Sequence, residues 1–262
     1  EAVREAMAKE SFWGVRVAVA QLLAKSKRAE AIPVLAAMLA TEEEPKVMRY
    51  LAKAAGSMRH ASLRAALLEF LKSDPPPAAK ASALTALGQQ RDPADFDLLV
   101  QAAGDGGIHH LVASGAIGGL GQLGTTEAFE WLAGRLAYGE LPEPNRPAAA
   151  QALGACAGRL ERDARARAGD ALVDLTRDPN SRVRMAAAGA LAGLRTPGAA
   201  ASLASLKTLQ PNQDAPKIQR WIDALAKGGP GEETRKLTDR CEKLEEQLRK
   251  MDARIQDLEA RS

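Results

Sequence analysis

Pro179-Asn180-Ser181-Arg182-Val183-Arg184-Met185-Ala186-Ala187-Ala188-Gly189-Ala190-Leu191-Ala192-Gly193-Leu194 is one copy of a pattern that six other segments share. A turn with Pro, Asp or Asn opens it, a Val-Arg pair follows, and small residues then alternate with Leu at helical spacing up to a Gly or Ala. Aligning Val183 backwards gives Asn145, Val112, Ala79, Val47 and Val15, and forwards Ile218, in steps of 32, 32, 33, 33, 38 and 35 from Val15 onward. Self-similarity at this period marks a helical solenoid, in which each unit buries its apolar face only by stacking on its neighbours. The expected fold is therefore all-α, a right-handed α-α superhelix of about seven helical hairpins with a further helix at the C-terminus.

Composition agrees. Ala and Leu dominate an apolar fraction of 46 %, aromatic residues make up 3 %, and β-branched residues are sparse, which favours helix over strand. The net charge of +3 separates 36 basic from 33 acidic side chains, too small an excess to imply a nucleic-acid or membrane partner. Two distant cysteines, Cys156 and Cys241, suggest no disulfide framework and suit a cytoplasmic location better than a secreted one. There is neither an apolar run of membrane-spanning length nor a signal segment. Glu1 opens the chain inside a helical pattern, so a fragment of a longer protein is expected.

Outward from the quoted stretch, inner helices are expected from about Phe12, Lys46, Ala78, Ile108, Arg146, Arg182 and Ala215, with Ser11 the N-cap of the first. Outer partners carry apolar stripes at Ala29–Ala40, Ala61–Lys72, Asp92–Ala103, beyond Thr125, beyond Arg162, and at Pro197–Leu209. Gly56, Gly88, Gly121 and Gly154 recur near the ends of inner helices, as C-caps or as points of close helix approach. The helix at Ile108–Leu123 holds so many glycines that it is expected to be the weakest. The loop Tyr138–Pro147 precedes the longest step, as an insertion decorating one edge would.

The solenoid is placed at residues 1–227, a Gly/Pro linker at 228–233, and a coiled-coil helix at 234–262. There Leu237, Cys241, Leu244, Leu248, Met251, Ile255 and Leu258 alternate at spacings of 4 and 3, with nine acidic and eight basic residues between Glu232 and Ser262. This heptad rhythm wants a partner helix, which makes a homodimer one expectation.

Phe12-Trp13-Gly14-Val15-Arg16, Pro45-Lys46-Val47 and Asp178-Pro179-Asn180-Ser181-Arg182-Val183-Arg184 resemble the HEAT-repeat (armadillo-type) family over about residues 1 to 227. The units at Ala79 and Asn145 depart from Val but keep Lys80 and Arg146 next to it. The opening Phe-Trp-Gly-Val-Arg, with the layout of repeats ending in a charged coiled coil, is also similar to the C-terminal region of bacterial zinc aminopeptidases of the alanyl aminopeptidase (aminopeptidase N) type. That resemblance implies a non-catalytic region that scaffolds or encloses a peptide-substrate cavity. Zinc and the catalytic residues would then belong to a domain upstream of Glu1, with no cofactor in this chain. A free-standing scaffold with a dimerising helix is the alternative. A third, disfavoured reading is a DNA-binding protein resembling the bacterial alkylpurine glycosylases, against which near-neutral charge and scarce aromatics weigh.

No catalytic or metal site is expected here. A zinc peptidase needs His-Glu-x-x-His, whereas the only histidines are His60, His109 and His110, and adjacent residues point to different sides of a helix. Cys156 lies among small apolar residues with no base in view, so burial is its expected fate. Trp13, Trp131 and Trp221 fall on apolar faces and are expected to pack in the core or between repeats. Arg16, Lys80, Arg146 and Arg184 share one repeat register, with Arg49, Arg182 and Arg220 close by, and stacking would align them as a basic row. Either they bind turn carbonyls and carboxylates such as Asp74 or Asp178, the favoured reading, or they form a concave-face site for an acidic peptide or a phosphate backbone.

Overall fold

Leu and Ala at helical spacing, broken every dozen or so residues by Pro, Asp or Gly, leave the chain little choice but short amphipathic helices. The computed structural model describes residues 10–104, 106–107, 110–196, 198–209 and 213–227, together with Arg240, Gln247 and Met251. Over these the fold is all-α, with one isolated β-bridge between Tyr138 and Leu141.

The helices are α1 (Trp13–Ser26), α2 (Ala31–Thr41), α3 (Pro45–Gly56), α4 (Ala61–Lys72), α5 (Pro77–Gln90), α6 (Phe96–Ala103), α7 (Leu111–Leu123), α8 (Thr126–Ala133), α9 (Arg146–Ala157), α10 (Arg162–Leu175), α11 (Ser181–Leu194), α12 (Ala199–Leu209) and α13 (Ala215–Lys227). The chain divides into two units, Glu1–Leu194 and Arg195–Ser262. In the first, the odd-numbered helices stack in sequence from α1 to α11, and the even-numbered helices pack against odd-numbered neighbours to form an outer row, α6 against α7. In the second, α12 packs on α13 as one further hairpin. The expected linker at 228–233 and the heptad positions Leu237, Cys241, Leu244, Leu248, Ile255 and Leu258 lie outside the described residues. Met251 is helical and exposed.

Most helix starts follow local chemistry. Thr125 accepts a hydrogen bond from the Ala128 amide at 3.2 Å, and His60 Nδ1 accepts one from the Ser62 amide at 3.2 Å. Pro45 and Pro77 occupy first-turn positions, where the missing N–H costs nothing. Two expectations need correction. Ser11 does not cap α1: Phe12 holds that place without a side-chain cap, and its amide donates to Glu10 Oε1 at 2.8 Å. Asp92-Pro93 opens a 3-10 turn, Pro93–Asp95, before α6 begins at Phe96, because the Asp92 side chain accepts from the Ala94 amide and fixes the tighter turn first.

Leu35, Leu51, Leu63, Leu67, Leu87, Leu99, Ile117 and Leu132 are fully buried between the two rows, each contributing roughly 1.5–3 kcal/mol. The register residues Val47, Ala79, Val112, Asn145, Val183 and Ile218 are buried too. Val15 is not: α1 is the first helix described, and Val15 is 39 % exposed while Val17 takes the buried place.

The recurrent glycines serve close approach. A Cβ on Gly88 would overlap the backbone of Gly119, and one on Gly115 would strike the Ala81 carbonyl. A Cβ on Gly121 would lie 2.6 Å from Ala152 Cα and one on Gly154 2.7 Å from Ala190 Cβ, both too near to exist without movement. The left-handed C-caps fall elsewhere, at Arg91 for α5 and Gly124, φ 72°, for α7. The glycines that weaken α7 in isolation therefore let α5 and α7 meet backbone to backbone, and packing offsets the helix propensity lost.

This predicts opposite signs for one substitution. Gly88→Ala should lower stability by about 1–3 kcal/mol through overpacking. Gly193→Ala in α11, where an added Cβ meets nothing within 4 Å, should raise it by about 0.5–1 kcal/mol. Urea unfolding of both variants checks the pair.

Candidate binding face of the inner helices

Rotation about α3 separates two kinds of side chain. Val47, Leu51, Ala54 and Ala55 face the core, while Lys46, Arg49 and Lys53 stand opposite them and are exposed. The equivalent positions are Ala81 and Thr85 on α5, Ser114, Gly118 and Gln122 on α7, Gln151 and Ala155 on α9, and Met185 and Gly189 on α11. These side chains, half-buried or exposed, form the open face of the inner row. They sit two and six residues after the Val-register position on α5 and α11, two, six and ten after it on α7, and six and ten after it on α9. Thr85 Oγ1 donates to the Gly115 carbonyl at 2.9 Å, so the floor of the face is closed between α5 and α7. Small, uncharged residues make up its middle, and cations gather at the α3 end.

The basic row read from sequence is one residue off this face, and one residue on a helix is a rotation of about 100°. Arg146 is 4 % exposed and grips Asp178 through both terminal nitrogens, at 3.1 and 2.5 Å. Lys80 pairs with Asp74 at 2.9 Å, and Arg16 with Glu42 at 3.4 Å. Arg184 donates to the carbonyls of Asp178 and Pro179 at 2.8 and 2.9 Å. Arg49 is exposed on the open face, and Arg220 is exposed on α13 of the second unit. Of these five in the first unit, Arg49 alone stands on the open face. Four are engaged at turns of their own fold, and sequence reasoning passed over Lys46 and Lys53, which the spacing from Arg49 could have signalled.

The Arg146–Asp178 pair sits in a buried polar node where the Tyr138–Pro147 insertion meets the α10–α11 turn. Asn145 Oδ1 accepts from Ser114 Oγ at 2.9 Å, and the Tyr138 ring covers the Arg146 guanidinium at 5.4 Å. Burial alone would push the Asp178 carboxyl up. Hydrogen bonds from Arg146 and the Asn180 amide, with the charges of Arg146 and Arg184, outweigh it and hold the carboxyl below its usual range.

Other candidates resolve individually. Cys156 is buried, with its Sγ 3.6 Å from the Thr125 carbonyl. Burial pushes the thiol up to about 11 against the opposing pull of Arg159 and a Gly124 hydrogen bond, so at neutral pH it is protonated and a poor nucleophile. His60 is a helix cap, and His109 lies outside the described residues. Among the described residues no three His, Cys, Asp or Glu side chains cluster as metal ligands, and no helix is long and apolar enough to cross a membrane.

The tryptophans correct the packing expectation. Trp13 is 40 % exposed beneath Lys46 Nζ at 4.7 Å. Trp131 is half-buried under Arg135 at 4.1 Å, and Trp221 half-buried under Lys217 at 5.0 Å. Each ring presents a face to a cation, because the narrow Ala/Leu interior has no room for an indole.

Hairpins repeated at nearly constant spacing, each covered by the next, define an α-solenoid. A family model described as HEAT repeats matches residues 1–75 and 64–154, and the chain belongs to the HEAT-repeat family. Among solved structures it is similar to the CpcE–CpcF complex of phycocyanin lyase from Nostoc sp. PCC7120, with 22 % identity, TM-score 0.54, and coverage of 85 % of this chain and 93 % of that one. Human deoxyhypusine hydroxylase, solved with glycerol, matches at 18 % identity and TM-score 0.36 over 79 % and 88 % of the two chains. An engineered protein matches at 19 % identity and TM-score 0.38 over 87 % and 98 %. A search of curated proteins gave no match. Neither the family model nor these structures connects the chain to an aminopeptidase.

Removing one member of the buried pair tests the node. Asp178→Ala should cost about 3–5 kcal/mol, because it strands the Arg146 charge. A carboxyl lowered on folding contributes stability above its unfolded value near 3.9 and loses it as pH falls through the lower folded value. The gap between wild type and variant, followed by denaturant unfolding, should therefore close below about pH 4.

Proposed function

We propose that this chain is a non-catalytic HEAT-repeat scaffold that holds a segment of a protein partner along the open face of its inner helices. The observation that carries the reading is the division of side chains at α3, α5, α7 and α9. Cations at the turns are consumed by the fold, while the face opposite the core keeps Lys46, Arg49, Lys53, Thr85, Gln122 and Gln151 unburied. A repeat array with one continuous open face is the arrangement through which solenoids bind extended ligands. Enclosing the substrate cavity of an upstream zinc aminopeptidase is a special case of the same role. It rests on the Phe12–Arg16 resemblance alone, and we do not adopt it.

A photo-crosslinking residue at Thr85 on the inner face should capture discrete adducts in a lysate of the source cells. The same group at Glu69 on the outer row should capture none of them. Equal adducts from both positions would sink the reading. The heptad segment Leu237–Leu258 supplies a second proposed contact, with another copy of the chain. Leu244→Glu combined with Leu248→Glu should then turn a dimer into a monomer by light scattering, and a monomeric wild-type chain would dismiss it.

A further inference from the structure

On the inner face three cations cluster on α3, and Arg182 of α11 holds the register place that Lys46 has there. Lys46, Arg49 and Lys53 stand at i, i+3 and i+7 on α3, a spacing that lines them up on one side of the helix. Among the described residues none of the three makes a salt bridge. Their contacts are with rings: Lys46 lies 4.7 Å from Trp13, and Arg49 and Lys53 lie 5.9 and 5.6 Å from Tyr50. Phe12, 58 % exposed, leans on Trp13 at 5.8 Å between ring centroids.

The carboxylates nearest in sequence are largely engaged. Glu42 pairs with Arg16, and Glu44 accepts from the Lys46 amide at the start of α3, leaving Glu43 exposed at the turn. Partial burial and repulsion from Arg49 hold the Lys53 ammonium below its usual range, so an arriving carboxylate would relieve an existing strain on that charge. Beyond α3 the face is lined by Ala81, Thr85, Ser114, Gly118, Gln122 and Gln151, and its further cations are Arg159, which donates to Gln122 and the Ala155 carbonyl, and Arg182 on α11. A nucleic-acid backbone would meet few further cations along α5, α7 and α9, since Lys80, Arg146 and Arg159 are bonded within the fold, and the chain as a whole carries only +3, whereas duplex binding needs cations along the whole track.

We propose that α3, with Trp13 of α1, is the anchor for an acidic segment of a protein partner. Carboxylates of the partner pair with Lys46, Arg49 and Lys53, their apolar neighbours cover the Trp13 and Tyr50 rings, and the rest of the segment runs over the neutral floor. This assignment rests on the scaffold reading and adds the chemistry of the partner to it.

The test is fluorescence anisotropy of the intact chain with a fluorescein-labelled peptide of repeating Glu-Glu-Leu units. Saturable binding is expected, weakening about tenfold between roughly 50 and 300 mM salt as exposed charges are screened. Arg49→Glu combined with Lys53→Glu, both exposed and so expected to leave the circular dichroism unchanged, should weaken it at least tenfold. Arg162→Glu on α10 of the outer row should not. Trp13→Ala should weaken binding without altering its salt dependence. Three results overturn the assignment: no binding of the acidic peptide, binding indifferent to the double reversal, or equally tight binding of a labelled DNA duplex that the reversal also abolishes. Inner-face cross-links at Thr85 that survive the double reversal would leave the scaffold reading standing while removing the anchor.

Discussion

The backbones of α5 and α7 meet with no side chain between them at Gly88 and Gly119, and this closeness constrains the first unit. A helix without side chains on one flank has little intrinsic stability, yet it can approach its neighbour closely enough for dispersion contacts along the whole shared length. The cost is local and the gain collective. Small residues at Gly56, Gly121 and Gly154 repeat the arrangement, so the inner row is a close stack and bulky side chains are left to the core between the rows.

Given that stack, polar groups have few places to go. At the turns they satisfy one another across neighbouring units. Arg64 holds Asp95 at 2.9 and 2.6 Å, Gln90 holds the carbonyls of Ala55 and Met58, and Arg146 holds Asp178. On the open face Lys46, Arg49 and Lys53 make no salt bridge, while Thr85, Ser114 and Gln122 hydrogen-bond within the fold. The same residue type therefore has two roles set only by its angle around the helix. An arginine one residue after the Val register closes the fold, and one two residues after it faces outward.

The repeat, its period and most helix limits were legible because Pro, Asp and the Ala/Leu alternation act locally. The helix limits of α4 are those expected from sequence, and the start of α6 moved because Asp92 made a 3-10 turn first. Less legible was everything that depends on the neighbouring unit. The role of Gly88 could not be settled without Gly119 beside it, nor could the burial of Arg146 without Asp178, which lies 32 residues on. The open face was hard to read for a related reason. The period aligned Arg16, Lys80, Arg146 and Arg184 correctly along the chain, but burial alone says which way a register position points, and Arg49 had been grouped with them although it belongs to another side of its helix.

The hydrogen bonds that tie one hairpin of the first unit to another span between 30 residues, from Lys27 to the Ser57 carbonyl, and 38, from Arg159 to the Gly121 carbonyl. Each tie is complete once the next hairpin has been made. A growing polypeptide could lock every unit onto its predecessor while the following one is still being synthesised, without waiting for distant sequence. Such short-range closure favours rapid assembly from the N-terminal side and keeps few apolar surfaces uncovered during translation.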